Sequence, residues 1–164
     1  MIRNISFYDF QIEDRIDIDA PPAAAFGFFE DMEANYTRWH PAHIRFEWRK
    51  GRGLAVGTEF FFEETIAGKR QAKLVTITEV EQDRCFAFVP KNPVFRFFLP
   101  RLWFAFEPRG GGCTFRAGIR LHGIGPFGRR LNRREFDAVE AHMAEEGRNL
   151  KALLEGAMQS PARR

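Results

Sequence analysis

Two segments far apart in the chain carry residue types that bind divalent cations. The protein has only four histidines in 164 residues. His40 and His43 stand three apart in Trp39-His40-Pro41-Ala42-His43, and His142 precedes Glu146 by four residues. Imidazole nitrogen and carboxylate oxygen are the donors that Zn²⁺, Fe²⁺ and Mn²⁺ share. An i,i+4 pair places two such donors on one face of a helix. Taken alone, the spacing is also that of an ordinary helix-surface pair, so the elements around it must decide.

The element carrying His142 and Glu146 reads as a helix of roughly 24 residues over Asn132 to Glu155, about 36 Å long. Phe136, Val139, Met143, Leu150 and Leu153 recur at 3/4 spacing and define its buried stripe. Glu146 falls inside that stripe where an apolar residue is expected, and His142 lies at its edge. A second carboxylate breaks a strand pattern. Thr58, Phe60, Phe62, Glu64 and Ile66 share one face, with Glu59 and Glu63 opposite. A buried carboxylate needs a cation, a donor or a metal beside it. Glu64, His142 and Glu146 are therefore the inward candidates. His43 is preferred over His40 as the fourth ligand, because it directly precedes a strand beginning at Ile44. The open coordination position expected of such a set suits Zn²⁺, with Fe or Mn as alternatives.

The remaining pattern supplies the scaffold. Ile12, Asp14, Ile16 and Ile18 alternate with Glu13, Arg15 and Asp17 as an early strand, after which Asp19 is placed to cap a helix over Ala23 to Met32. A short or broken helix spans Ala34 to His43. Strands follow with Ile44, Phe46 and Trp48 in phase, then at Thr58 to Ile66. The Gly68-Lys69 turn leads to a strand with Ala72, Leu74, Thr76 and Thr78 on one side. Cys85–Val89, Leu102–Phe106 and Cys113–Leu121 complete the strands. This order predicts one α+β domain over residues 1–164, a curved antiparallel sheet around the last helix.

Composition favours a hollow domain. Apolar residues make up 45% of the chain, which holds 19 Phe and 3 Trp against 2 Tyr; so many rings line a cavity as readily as they fill a core. Phe60, Phe62, Phe104 and Phe106 are the expected lining. The net charge of +3 is concentrated in Arg129, Arg130, Arg133, Arg134, Arg163 and Arg164, without the broad stripe or module of a nucleic-acid surface. The densest apolar run, Phe95 to Phe106, is broken by Arg96, Pro100 and Arg101, which excludes a spanning helix there and argues against stable membrane insertion. Cys85 and Cys113 occur without a CxxC pattern or a leader-like N-terminus, and a cytoplasmic location is expected.

The element order and the run Ile-Asp-Ile-Asp-Ala-Pro-Pro-Ala-Ala-Ala-Phe-Gly-Phe-Phe (16–29) resemble the START/Bet v 1-like superfamily, which includes polyketide cyclases. The resemblance extends from about residue 10 to 156. It implies a helix-grip fold, with seven antiparallel strands gripping the C-terminal helix around a hydrophobic cavity. A narrower likeness is to the zinc-dependent diacetylphloroglucinol and phloretin hydrolases. It rests on Trp-His-Pro-Ala-His-Ile (39–44), Gly-Thr-Glu-Phe-Phe-Phe-Glu-Glu (57–64) and His-Met-Ala-Glu-Glu (142–146). That likeness implies zinc on His43, Glu64, His142 and Glu146, and cleavage of a carbon–carbon bond between ring and acyl group. The chain departs from that group in its shorter length, and only Tyr8 and Tyr36 offer phenolic contacts to ring hydroxyls.

The resulting expectation is a metal-dependent hydrolase of a small aromatic ketone or acylphenol, in which the metal polarises a carbonyl and activates water. His40, and after it His122, are the candidates for proton transfer. The competing accounts are a non-enzymatic carrier of a hydrophobic ligand and a metal-free cyclase using His40 or Glu64 as base. A homodimer is compatible with all of them.

Overall fold

Eight antiparallel strands form one sheet in the order β1-β2-β8-β7-β6-β5-β4-β3 in the computed structural model, which describes residues 1–159. The strands are β1 (Ile2–Asn4), β2 (Phe10–Ile18), β3 (His43–Lys50), β4 (Glu59–Ile66), β5 (Lys69–Glu81), β6 (Cys85–Pro90), β7 (Arg101–Arg109) and β8 (Gly112–Leu121). Helices α1 (Pro22–Glu30) and α2 (Met32–Trp39) connect β2 to β3. Two short helices, α3 (Pro93–Phe98) and α4 (Pro126–Leu131), precede β7 and the long α5 (Arg133–Gln159). Arg163 and Arg164 lie outside the described residues.

The expected helix-grip architecture is present, with eight strands against the expected seven. The addition is the short edge strand β1, too brief to leave a periodic signal. No helix among the described residues is long and apolar enough to cross a membrane. α5 rests chiefly on β2. Gly147 permits the approach, since a Cβ there would sit 3.2 Å from Asp14 Oδ2 and 3.3 Å from the Ile16 side chain. Met143, Glu146, Gly147, Leu150 and Leu154 are the buried positions of the helix. Leu154, not the expected Leu153, continues the stripe, because a 3.6-residue period drifts relative to strict 3/4 spacing.

One end of the sheet is filled solidly. Phe26 and Phe29 of α1 pack on Phe86, Phe106 and Phe115, with ring centroids 5.4–6.4 Å apart. Such offset and edge-on contacts are the favoured aromatic geometry. The turn before α1 is set by Pro21 as N-cap, with no side-chain cap. Asp19 does not cap as expected; its N–H instead donates to Glu155 Oε1 on α5 at 2.8 Å.

A bulge in β3 decides which of its residues face inward. The register shift between His43 and Arg45 inserts one residue into β3. His43 is paired with Glu64, Phe46 with Phe62 and Trp48 with Phe60, so these inner-face residues span an odd interval in sequence. Ile44, expected in phase with Phe46, is the residue displaced, and it is 42% exposed. On β5 the inner set is Gln71, Lys73, Val75 and Ile77, whereas Leu74 faces solvent. Further register shifts lie between Trp48 and Lys50 and between Ile77 and Glu79.

Candidate active site

A cavity of about 320 Å³ lies between the sheet and α5, within the size range of small-molecule sites. Phe60, Phe62 and Phe104 line it as expected. Phe106 does not: it is fully buried beneath α1, in the solid end of the core. Strand parity correctly puts it on the inner face, but alternation carries no information about where α1 sits. Trp39, Trp48, Leu102, Phe136 and Val139 extend the apolar wall.

The polar part of that wall is concentrated in one cluster. β4 presents Glu64, β5 presents Gln71 and Lys73, and α5 presents His142 and Glu146. His43 stands directly behind, at the first position of β3, and His40 closes α2 as its C-cap. One ligand atom each from His43, Glu64, His142 and Glu146 lies within 4.8 Å of the others, and the same limit holds for His40, His43 and His142. The widely separated sequence segments therefore converge, and all four expected metal-ligating side chains are in one place.

Hydrogen bonding gives the histidines different roles. His43 Nδ1 lies 2.9 Å from the Tyr36 carbonyl oxygen, which can only accept, so Nδ1 carries the proton. Its Nε2 then points at Glu146 Oε1 from 2.9 Å. A lone pair and a carboxylate oxygen at that separation need a proton or a cation between them. Tyr36 also stacks on the imidazole, with centroids 4.1 Å apart and planes 5° from parallel. Ring and carbonyl together fix the orientation of His43, as partners behind a ligating histidine commonly do.

His40 is arranged oppositely. Ala42 N–H donates to its Nδ1 at 3.0 Å, leaving the proton on Nε2, which stands 3.5 Å from Glu145 Oε2 without a hydrogen bond. Its pKa is depressed by burial first, then by the imidazoles of His142 and His43. A neutral ring carrying its proton on Nε2 is a hydrogen-bond donor rather than a metal ligand there. This favours His43 over His40 within the ligand set.

The two out-of-place carboxylates are both buried. Lys73 Nζ donates to Glu64 Oε1 at 3.0 Å and to Gln71 Oε1 at 2.9 Å. Burial raises the Glu64 pKa, but His142 and Lys73 outweigh it and bring the value down to about 2. Glu64 Oε2 is thus left facing His142 Nε2 at 3.6 Å, and Glu146 Oε1 faces the same nitrogen at 3.7 Å. His142 Nε2 is buried without a hydrogen-bond partner. Burial works against charging this ring, yet Glu64, Glu146 and Glu145 reverse the effect and raise its pKa. Trp39 Nε1–H donates to the Glu146 carbonyl at 2.9 Å, tying α2 to α5 beside the cluster.

Lys73, Gln71 and Tyr36 are site residues that the spacing did not single out. Lys73 and Gln71 are in phase with Val75 and Ile77, and the choice of that phase as inner would have found them. Tyr36 is 5% exposed and its hydroxyl has no partner. Burial, with Glu64 and Glu146 nearby, pushes its pKa up, so the phenol keeps its proton. His122 is not brought to the cluster. Its Nδ1 pairs with Asp9 Oδ1 at 2.6 Å and its ring meets Phe97 edge-on, outside the cavity lining.

The donor set suits a divalent cation: two imidazoles and two carboxylates, one of them already oriented by a lysine. It also suits proton transfer to a bound carbonyl compound from Tyr36, which lines the cavity, whereas His40 stands behind the lining with its ring 4.3 Å from that of His142.

Solved structures share the fold. The chain superposes on the Zhui aromatase/cyclase from Streptomyces sp. R1128 with a TM-score of 0.73 and 10% identity, covering 93% of this chain and 98% of that one. A protein from Thermus thermophilus gives 0.71 at 16% identity, covering 92% and 99%. Ara h 8.0201 gives 0.65 at 18% identity, covering 90% and 99%. No curated protein sequence matches the chain. At these identities the likeness is one of fold. Sequence membership is carried by residues 9–155, from β2 to the last turns of α5, and by that match the chain belongs to the polyketide cyclase / dehydrase and lipid transport family.

Proposed function

We propose that the cavity receives a small apolar ligand of aromatic or polyketide character, with a carbonyl or hydroxyl directed at the His/Glu cluster. The observation that carries this reading is His142 Nε2, buried without a partner where Glu64, Lys73 and Glu146 interrupt a largely apolar cavity wall that also includes Tyr36, whose hydroxyl is likewise unpartnered. Buried polar groups left without partners are costly in a finished core, and a ligand that satisfies them recovers that cost. Family membership and the fold shared with an aromatase/cyclase support ligand binding and cyclase-type chemistry.

The finer reading adds a metal. His43, Glu64, His142 and Glu146 would hold a divalent cation, zinc before iron or manganese. When bound, it supplies Lewis acidity toward a ligand oxygen. The chain's own residues do the rest. Tyr36 and the Phe wall orient the ring, Lys73 keeps Glu64 ionised, and His40 exchanges a proton with the ligand by way of the neighbouring His142. With the metal, the favoured reaction is hydrolytic removal of an acyl group from an aromatic ketone or acylphenol. Without it, the same His40 and Glu64 serve a cyclisation or dehydration as acid and base.

Trp39 and Trp48 line the cavity, so quenching of their fluorescence reads binding directly. Aromatic ketones and acylphenols are expected to bind and quench saturably, and Phe104→Ala to weaken them. Mass spectrometry of the bound compound then separates the chemistries: loss of the acyl group marks hydrolysis, loss of water marks dehydrative cyclisation, and an unchanged mass marks a carrier. Absence of saturable quenching across the panel would overturn the proposal.

A further inference from the structure

Three short segments hold large apolar side chains in solvent. Phe7 and Tyr8 lie in the β1–β2 loop, Phe95 and Phe97 on α3, and Phe127 and Leu131 on α4. Each is more than half exposed, Phe127 reaching 75%. A single exposed ring needs no explanation, but several neighbouring ones do.

Contacts along the chain make them neighbours. His122 N–H donates to the Phe98 carbonyl at 3.0 Å, and Phe97 packs edge-on against His122 at 4.9 Å. Two residues on, Ile124 N–H donates to the Tyr8 carbonyl at 3.2 Å, and Tyr8 meets Phe7 at 4.9 Å. Gly123, at φ +70°, would drive a Cβ to 2.9 Å from the Phe97 ring, so the close approach of α3 depends on glycine there. α4 starts at once after Gly125, whose Cβ position faces Tyr8.

The patch is rimmed by positive charge. Arg96 lies on α3, Arg129 and Arg130 on α4, and Arg133 and Arg134 open α5. Among the described residues Arg96, Arg130 and Arg134 form no ion pair, whereas the acids facing the patch are engaged. Asp9 is held by His122 and Arg120, Asp137 by Arg133 and Glu135 by Lys69.

The patch also borders the route to the cavity. Leu99 directly follows α3 and Leu121 directly precedes His122, and both line the cavity. Phe136 lines it as well as the outer groove formed with Phe7, Ile124, Arg129 and Arg130.

We propose that this face docks on an anionic lipid bilayer, its aromatic rings in the interfacial region and its arginines on the headgroups, so that apolar ligand passes between membrane and cavity. Aromatic side chains beside unpaired arginines fit a surface that is apolar inside and anionic outside. A symmetric contact between two copies would instead press the arginines against one another. A nucleic acid would use the charge but gain nothing from the continuity with an apolar cavity. The proposal does not depend on a metal in the site.

Co-sedimentation of the full chain with vesicles tests it, using phosphatidylcholine alone and phosphatidylcholine mixed with phosphatidylglycerol. Binding is expected to the mixed vesicles, to fall with added salt, and to drop by at least about tenfold in Arg130→Glu/Arg134→Glu. A triple variant, Phe95→Ser/Phe97→Ser/Phe127→Ser, is expected to lose binding while keeping its circular dichroism spectrum and its cavity ligand. These positions are exposed, so folding should survive. Equal pelleting of wild type and both variants, or none with mixed vesicles at low salt, would overturn the proposal. So would a concentration-dependent dimer or an oligonucleotide complex that the same variants abolish while vesicles go unbound.

Discussion

The molecule contains two histidine–carboxylate regions built from the same residue types. In the inner one, His43 and His142 meet Glu64 and Glu146 against the cavity, both carboxylates buried and His142 Nε2 unpartnered. In the outer one, His122 meets Asp9 at 2.6 Å with 44% of its side chain exposed, and Arg120 assists. Asp9 is held below its usual pKa: its limited burial opposes this, and His122 and Arg120 outweigh it. The outer pair is complete as it stands. The inner region leaves Tyr36 Oη, His40 Nε2 and His142 Nε2 buried without partners, and those open positions distinguish a site from a surface ion pair. Spacing and residue type alone do not separate the two; burial and partner count do.

The strongest way to break this contrast is to remove an inner carboxylate. Glu146→Ala is expected to weaken divalent-metal affinity by more than the about 10–100-fold typical of losing an outer partner, as read by calorimetric titration of Zn²⁺. His43→Ala is expected to do the same and His40→Ala to leave the affinity nearly unchanged, because His43 directs its Nε2 at the Glu146 carboxylate while the Tyr36 carbonyl holds its Nδ1–H.

A second test sharpens the electrostatics. The folded pKa of Glu64 is about 2 against an ordinary 4.5, so its ionised form contributes stability on the order of 3 kcal/mol. The group is depressed, so this contribution is complete above pH 4.5 and is lost as the pH falls toward 2. Lys73→Met removes the nearest cation. Denaturant melts should show a large loss at neutral pH that shrinks as the solution is acidified through this window. A uniform loss at all pH values would mean that Lys73 acts by packing on Phe62 instead.

The smallest effect is expected from the outer pair. Asp9→Asn should leave metal affinity and cavity binding unchanged, with at most a minor loss of stability, the usual yield of a partly exposed pair. A loss of ligand binding in this variant would join the two regions and remove the contrast.

Much of the inner region was legible in the chain because a carboxylate on an apolar face violates a periodicity that neighbouring residues establish. Glu64 among Phe60, Phe62 and Ile66, and Glu146 after Val139 and Met143, are cases of this kind. Lys73 was not legible because β5 offers two alternating sets, and the set containing Leu74 looked equally apolar. Tyr36 was hidden in a helix too short to show a stripe. The β3 bulge inverted the parity that would have put His43 outside, so its place in the cluster was legible from its position at a strand start rather than from alternation. The short helices α3 and α4 left no periodic signal, being only six residues each.

The central claim is that the buried His/Glu cluster is a binding centre rather than a satisfied polar core. Titrating Zn²⁺ into untagged, chelator-treated protein by calorimetry tests it most directly. The account predicts one saturable site per chain, absent in Glu146→Ala and preserved in Asp9→Asn. No heat of binding in the wild type, or equal binding by the Glu146→Ala variant, would contradict it.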